Sequence, residues 1–189
     1  MQYYGEYPYM SDQYNMINSM MGDYTWMPRY PLPDRRMPDP YSYPGNLPMA
    51  IQLIAEAIAS EREDELFYDY LLKNAPSEED KSIITSIRDD ERKHFGLFRQ
   101  IYSELTCRMP PTPQEPEITL PASYCEGVKK ALFGELSAIE KYRRILYALQ
   151  DRVQINKLIE IITDEIKHAS KWNYLYTKNE CFEEEGTED

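Results

Sequence analysis

Histidine is almost absent from this chain, with two in 189 residues. Cysteine is scarce as well. Cys107, Cys125 and Cys181 are odd in number and far apart, which excludes a disulfide framework or a paired CxxC metal knuckle as a sequence-level reading and leaves reduced thiols as the expectation. Net positive charge is missing: 33 acidic against 21 basic residues give a formal charge of −12. Such a chain is repelled by nucleic acid and by anionic membrane surfaces, so neither is expected as a partner. No apolar run approaches the roughly 20 residues a bilayer span needs. The N-terminus lacks the basic-then-apolar order of a signal peptide, and the expected compartment is the cytoplasm.

Aliphatic residues are also missing from one region. Residues 1–46 contain only Ile17 and Leu32 from the Ile, Leu and Val set, yet hold nine of the 17 tyrosines, seven of the 14 prolines and seven of the nine methionines. Such a segment cannot build its own core, and it reads as an arm that is either poorly ordered or laid against a partner. The last residues, 179–189, form an acidic tail.

Between these ends the pattern is helical. Positions 47, 51, 54, 58, 61, 65, 68 and 72 recur at steps of four and three, one face of a helix that starts near Asn46 and Pro48 and stops at "NAPS". Ser77 with Asp80 opens a second helix, with Ile84, Ile87, Glu91, His94, Phe98, Ile101 and Leu105 inside. A connector with five prolines follows. Ser123 with Glu126 then begins a third helix with inner residues Val128, Leu132, Glu135, Ile139, Tyr142, Leu146 and Leu149. Asp151 with Gln154 begins a fourth, with Leu158, Ile161, Glu165, His168, Trp172 and Leu175 inside. Four helices with one apolar stripe each must bury those stripes together, which predicts an all-α four-helix bundle over residues 47–178. An extended connector from Cys107 to Ala122 reaches about 50 Å at PPII spacing, and a 26-residue helix is only about 39 Å long. The connector is thus able to cross the whole bundle, although a slack loop between antiparallel helices also fits.

Both histidines sit in the same spelling, "DERKH" and "DEIKH", 74 residues apart. The same offset aligns Glu61 with Glu135, Tyr68 with Tyr142, Asp90 with Asp164, Glu91 with Glu165 and Lys93 with Lys167. The domain is therefore two repeated helical hairpins. Glu and His three residues apart on a helix reach the same point beside it, a spacing suited to chelation. Four carboxylates facing a bundle core repel one another and resist ionisation, whereas two divalent cations would cancel their charge.

This pattern resembles the ferritin-like dinuclear carboxylate proteins, in which two single glutamates and two Glu-x-x-His pairs project inward. The resemblance implies Glu61, Glu91, His94, Glu135, Glu165 and His168 as ligands of two iron or two manganese ions. Asp90 and Asp164 are candidates for the non-ligating histidine nitrogens, and the Tyr68 and Tyr142 hydroxyls for the ligand carboxylates. Within that family the rubrerythrin-like branch is the most similar, and it implies an oxidoreductase that reduces or dismutates peroxide or reacts with dioxygen, acting as a homo-oligomer. The chain lacks the CxxC motifs of a rubredoxin module, so a peroxidase of this kind needs a separate electron donor. It also has Ala138 where rubrerythrins carry a further glutamate. Asp64 and Glu65 on the first helix are the candidates for an additional carboxylate, and Glu65, on the inner stripe, is expected at a labile ligand position, at a water-filled opening or at the surface. An iron-oxidising storage protein and a structural, spore-coat-like assembly protein with an auxiliary metal site are the alternative functions.

Overall fold

A computed structural model describes residues 39–114 and 119–182. The expectations for the N-terminal arm fall outside the described residues up to residue 38, and those for the acidic tail from residue 183 onward. Among the described residues there are four helices and no strands: α1 (Leu47–Asn74), α2 (Glu78–Thr106), α3 (Tyr124–Leu146) and α4 (Arg152–Lys178). None is long and apolar enough to cross a membrane.

The starts of α2, α3 and α4 follow from local chemistry. Ser77 accepts from the Asp80 amide, Ser123 from the Glu126 amide, and Asp151 from the amides of Val153 and Gln154. These caps satisfy amides that have no intrahelical acceptor. At the start of α1 the expected cap is replaced by a different bond. Asn46 is fully buried, and its Nδ2 donates to the carbonyls of Pro40 (2.7 Å) and Tyr147 (3.2 Å), tying the start of α1 to the end of α3. The α2 helix ends at Cys107, in the left-handed conformation at φ 53°.

Contacts between helices set the topology. Tyr142 donates to Glu61 and Tyr68 to Glu135, so α1 and α3 run antiparallel. His94 lies against Asp164 and His168 against Asp90, so α2 and α4 do too. The hairpins α1–α2 and α3–α4 form the other two faces. It follows that α2 and α3 run parallel, and the Pro-rich connector must traverse the bundle. Its first part lies along α2, where Arg99 Nη1 donates to the Pro111 carbonyl at 3.2 Å.

Two apolar plugs fill the interior. One contains Ile54, Ile58, Phe98, Ile101, Tyr142, Ile145, Leu158 and Ile161; the other contains Phe67, Tyr68, Leu71, Ile84, Ile87, Val128, Trp172 and Leu175. Burying each large side chain contributes roughly 1.5–3 kcal/mol. Glu61, Glu91, His94, Glu135, Glu165 and His168 are all buried between the plugs.

Three stripes differ from expectation, that of α2 only at Leu105, which is half-buried. On α1 the buried set is Ala50, Leu53, Ile54, Ala57, Ile58, Glu61, Phe67, Tyr68 and Leu71, while Leu47, Ile51, Glu65 and Leu72 are only half-buried. On α3, Ala131 and Ile145 are buried where Leu132, Ile139 and Leu146 were expected. Each helix meets two neighbours, so its buried face is wider than one stripe, and adjacent apolar pairs such as Phe67–Tyr68 and Leu71–Leu72 fit two rotations equally well.

The reduced state expected for all three cysteines is corrected. Cys125 and Cys181 form a disulfide across 56 residues, joining the start of α3 to the turn after α4, and only Cys107 is free and exposed. The pairing becomes visible only when both segments are placed at the same end of the bundle.

Candidate metal centre

Each hairpin brings a single glutamate and a Glu-x-x-His pair to the polar layer at mid-bundle. One ligand atom each from Glu61, Glu91, His94 and Glu165 lies within 4.8 Å of the others, and the same holds for Glu91, Glu135, Glu165 and His168. The two groups share Glu91 and Glu165. The arrangement is that of two adjacent cation positions, with Glu61 and His94 at one, Glu135 and His168 at the other, and the shared glutamates between them.

Both histidines present Nδ1 to this layer. His94 Nδ1 is 3.0 Å from Glu165 Oε1, 3.3 Å from Glu91 Oε2 and 3.7 Å from Glu61 Oε2. His168 Nδ1 is 3.0 Å from Glu91 Oε1 and 3.6 Å from Glu135 Oε2. Their Nε2 atoms turn to the opposite hairpin, His94 to Asp164 (3.3 Å) and His168 to Asp90 (3.1 Å). An Nε2–H donated to each aspartate leaves the Nδ1 lone pair free for a cation. On the other side Tyr68 Oη donates to Glu135 Oε1 at 2.7 Å and Tyr142 Oη to Glu61 Oε1. All ten of these expected residues are thus brought together.

The residues fit a pair of divalent cations. Glu61 Oε2, Glu91 Oε1, Glu165 Oε1 and His168 Nδ1 are buried and make no hydrogen bond. Buried polar atoms without hydrogen bonds are costly, and of the five among the described residues four face one another in this cluster, the fifth being Asn46 Oδ1. Carboxylate-rich sites with few imidazoles suit hard or borderline metals.

Without a cation the cluster must adjust its protons. Burial, then the charges of neighbouring glutamates, push Glu91 well above the ordinary carboxylate range, and burial with the Glu135 contact does the same for Glu165. Burial alone would raise Glu61 and Glu135 too, but the facing histidines, the shared glutamates and the tyrosine hydroxyls hold both below the usual value. His94 and His168 are raised: burial opposes their charged form, and the surrounding carboxylates outweigh it. These shifts all favour protons on the histidines and shared glutamates, which reduces the negative charge of the layer.

Glu65 does not join the cluster. Its Oε1 accepts from Arg92 Nε at 2.6 Å and its Oε2 from Arg62, at the seam between α1 and α2. Burial works against ionisation there, but the two arginines hold its pKa below the usual value. The α1 face is rotated relative to the expected stripe, which brings Asp64 closer to the layer. Burial and the charges of Glu61 and Glu135 raise Asp64 well above the aspartate range.

Sequence reasoning placed Trp172 inside but missed its bond. Its Nε1 donates to Glu135 Oε1 at 3.0 Å, and its ring lies 5.0 Å from that of Tyr68. The available signal was its alignment, at the 74-residue offset, with Phe98.

Fold and site together define a four-helix protein with a buried carboxylate–histidine cluster able to hold metal. No protein-family model, curated protein or solved structure matches the chain.

Proposed function

We propose that this chain is a dinuclear iron or manganese protein of the ferritin-like kind, nearest in type to rubrerythrin, that reduces or dismutates peroxide or reacts with dioxygen. The observation that carries the reading is the sharing of Glu91 and Glu165 between two four-residue groups, each completed by its own Glu and His. Two redox-active ions held side by side would supply two electrons together, as peroxide reduction requires. The protein's own part is positional. Asp90 and Asp164 hold the imidazoles in one tautomer, Tyr68 and Tyr142 orient the single glutamates, and the two apolar plugs keep bulk water from the layer. A separate electron donor and self-association belong to this reading.

The test is peroxide consumption by the purified chain loaded with Fe(II) or Mn(II), against Glu91→Ala and Glu165→Ala. Turnover that needs metal and both glutamates supports the reading; turnover unchanged by their loss contradicts it.

A second reading, a structural assembly protein with an auxiliary metal site, draws on the Cys125–Cys181 disulfide. Persistent disulfides belong mainly to oxidising surroundings, which sits poorly with a cytoplasmic placement. Thiol trapping of protein taken directly from its source separates the two: an oxidised pair in an insoluble fraction favours the assembly, and a reduced pair in soluble protein favours the enzyme.

A further inference from the structure

We propose that Trp172 makes the two cation positions unequal, so that the position held by Glu135 and His168 fills first and more tightly. This rests on the two-cation reading above and concerns how that site loads.

The hairpin repeat would give two equivalent positions if it were followed everywhere, but it is broken around the cluster, at Asp64 against Ala138 among other places, and two of the breaks change the partners of the residues that hold a position. The first is residue 98 against residue 172. Phe98 packs on Tyr142, with ring centroids 4.8 Å apart, and has no donor to offer Glu61. Trp172 packs on Tyr68 in the equivalent way and adds an N–H to Glu135. Glu135 Oε1 thus accepts from two rigid, buried aromatic donors, and its Oε2 is left pointing at the cluster. Glu61 Oε1 accepts from Tyr142 alone, and its Oε2, like that of Glu135, faces a histidine Nδ1 across the cluster. A carboxylate pinned by two donors has less rotational freedom to lose when it binds a cation, so its position is better organised in advance.

The second break is at the paired lysines. Lys167 forms an ion pair with Asp164 (2.5 Å), the aspartate behind His94. Its repeat counterpart Lys93 pairs with Glu160 instead, and among the described residues Asp90 has no lysine ion pair. Asp90, without a lysine ion pair, meets the Nε2–H of His168 at 3.1 Å, against 3.3 Å between Asp164 and His94, which makes the His168 imidazole the stronger donor. Asp164 divides its charge between Lys167 and His94. Both breaks favour the same position, although they involve different residues on different faces.

The experiment is a Mn(II) titration of the full chain, following the free ion by its EPR signal. The wild-type protein is expected to bind two ions in steps separated by about tenfold or more, the scale on which partners of metal ligands act. Trp172→Phe, which installs the residue of the other half, should weaken the first step by about tenfold and leave the second in place. Lys167→Met, at an exposed position, should tighten the second step. Both variants draw the two steps together.

Equal steps in the wild type overturn the inference. So does a Trp172→Phe protein whose two steps fall alike, which marks general loosening of the core, or whose first step does not move. If Trp172→Phe fails to fold, Lys167→Met decides: an unmoved second step overturns the inference. Binding of fewer than two ions by the wild type instead removes the two-cation reading itself.

Discussion

The candidate ligand residues have unequal places in the cluster. Glu91 and Glu165 each belong to both four-residue groups, whereas Glu61 and Glu135 each belong to one. Glu91→Ala or Glu165→Ala should therefore cost both bound ions, and Glu61→Ala or Glu135→Ala only one, as read by elemental analysis after desalting. Equal loss from all four would contradict the shared arrangement. The six candidate ligands were legible in the sequence as buried, clustered residues because the 74-residue repeat pairs each of them with a counterpart, and because a carboxylate or imidazole on the inward face of a helix must be paired or bind a metal to be buried at all. Trp172 and the disulfide were not legible. An indole at an inner position looks like ordinary core until the acceptor beside it is known, and Cys125 and Cys181 meet because the α3–α4 hairpin sets the start of α3 beside the end of α4, a proximity that cysteine number and spacing do not show. Glu65 fell on the stripe by spacing; Arg62 lies three residues before it on the same helix, and its second partner, Arg92, appears only when α1 and α2 are packed.

Helices were readable in number and extent because each has a start signal and an apolar face; their rotation was not, because the neighbouring helix selects among nearly equivalent apolar positions. The start of α3 is the most constrained junction. Gly127 lies where an added Cβ would meet Leu71 Cδ2 at 2.5 Å and Pro121 Cγ at 3.0 Å. Leu71 is fully buried and Pro121 is rigid, so Gly127→Ala should destabilise the protein by about 1–3 kcal/mol, the usual cost of overpacking, despite alanine's better helix propensity. Denaturant unfolding measures it, and a neutral or stabilising result would mean that α1 and α3 are less closely packed here. The disulfide clamps the same junction to the end of α4. Closing a loop of this length restricts the unfolded chain, so Cys125→Ser with Cys181→Ser should cost about 2–4 kcal/mol. Added reductant should reproduce most of that loss in the wild-type protein.

At the scale of the whole molecule, the buried layer links stability to protons and metal. In the cation-free protein Glu91 and Glu165 are raised above 4.5, and His94 and His168 above 6.5. The folded state therefore binds more protons than the unfolded chain over the neutral range. The histidine contribution is fully present below about pH 6.5 and is lost as pH rises through the folded values; the glutamate penalty grows as pH rises above about 4.5. Glu61 and Glu135 are lowered, so their contribution is lost only below about pH 4.5 and does not offset the trend. Metal-free protein should consequently melt at a lower temperature at pH 8 than at pH 5.5. Bound cations replace those protons, so saturating Mn(II) should raise the melting temperature, and by more at pH 8. A metal-free melting temperature that rises with pH would show that other groups dominate. The central claim is that six side chains from two hairpins enclose two adjacent cations. Anomalous diffraction at the metal edge from crystals grown with Mn(II) or Fe(II) tests it most directly: two peaks about 3.5–4 Å apart, spanned by Glu91 and Glu165, are the expected result, and a single peak, or ions bound away from Glu61, His94, Glu135 and His168, would contradict it.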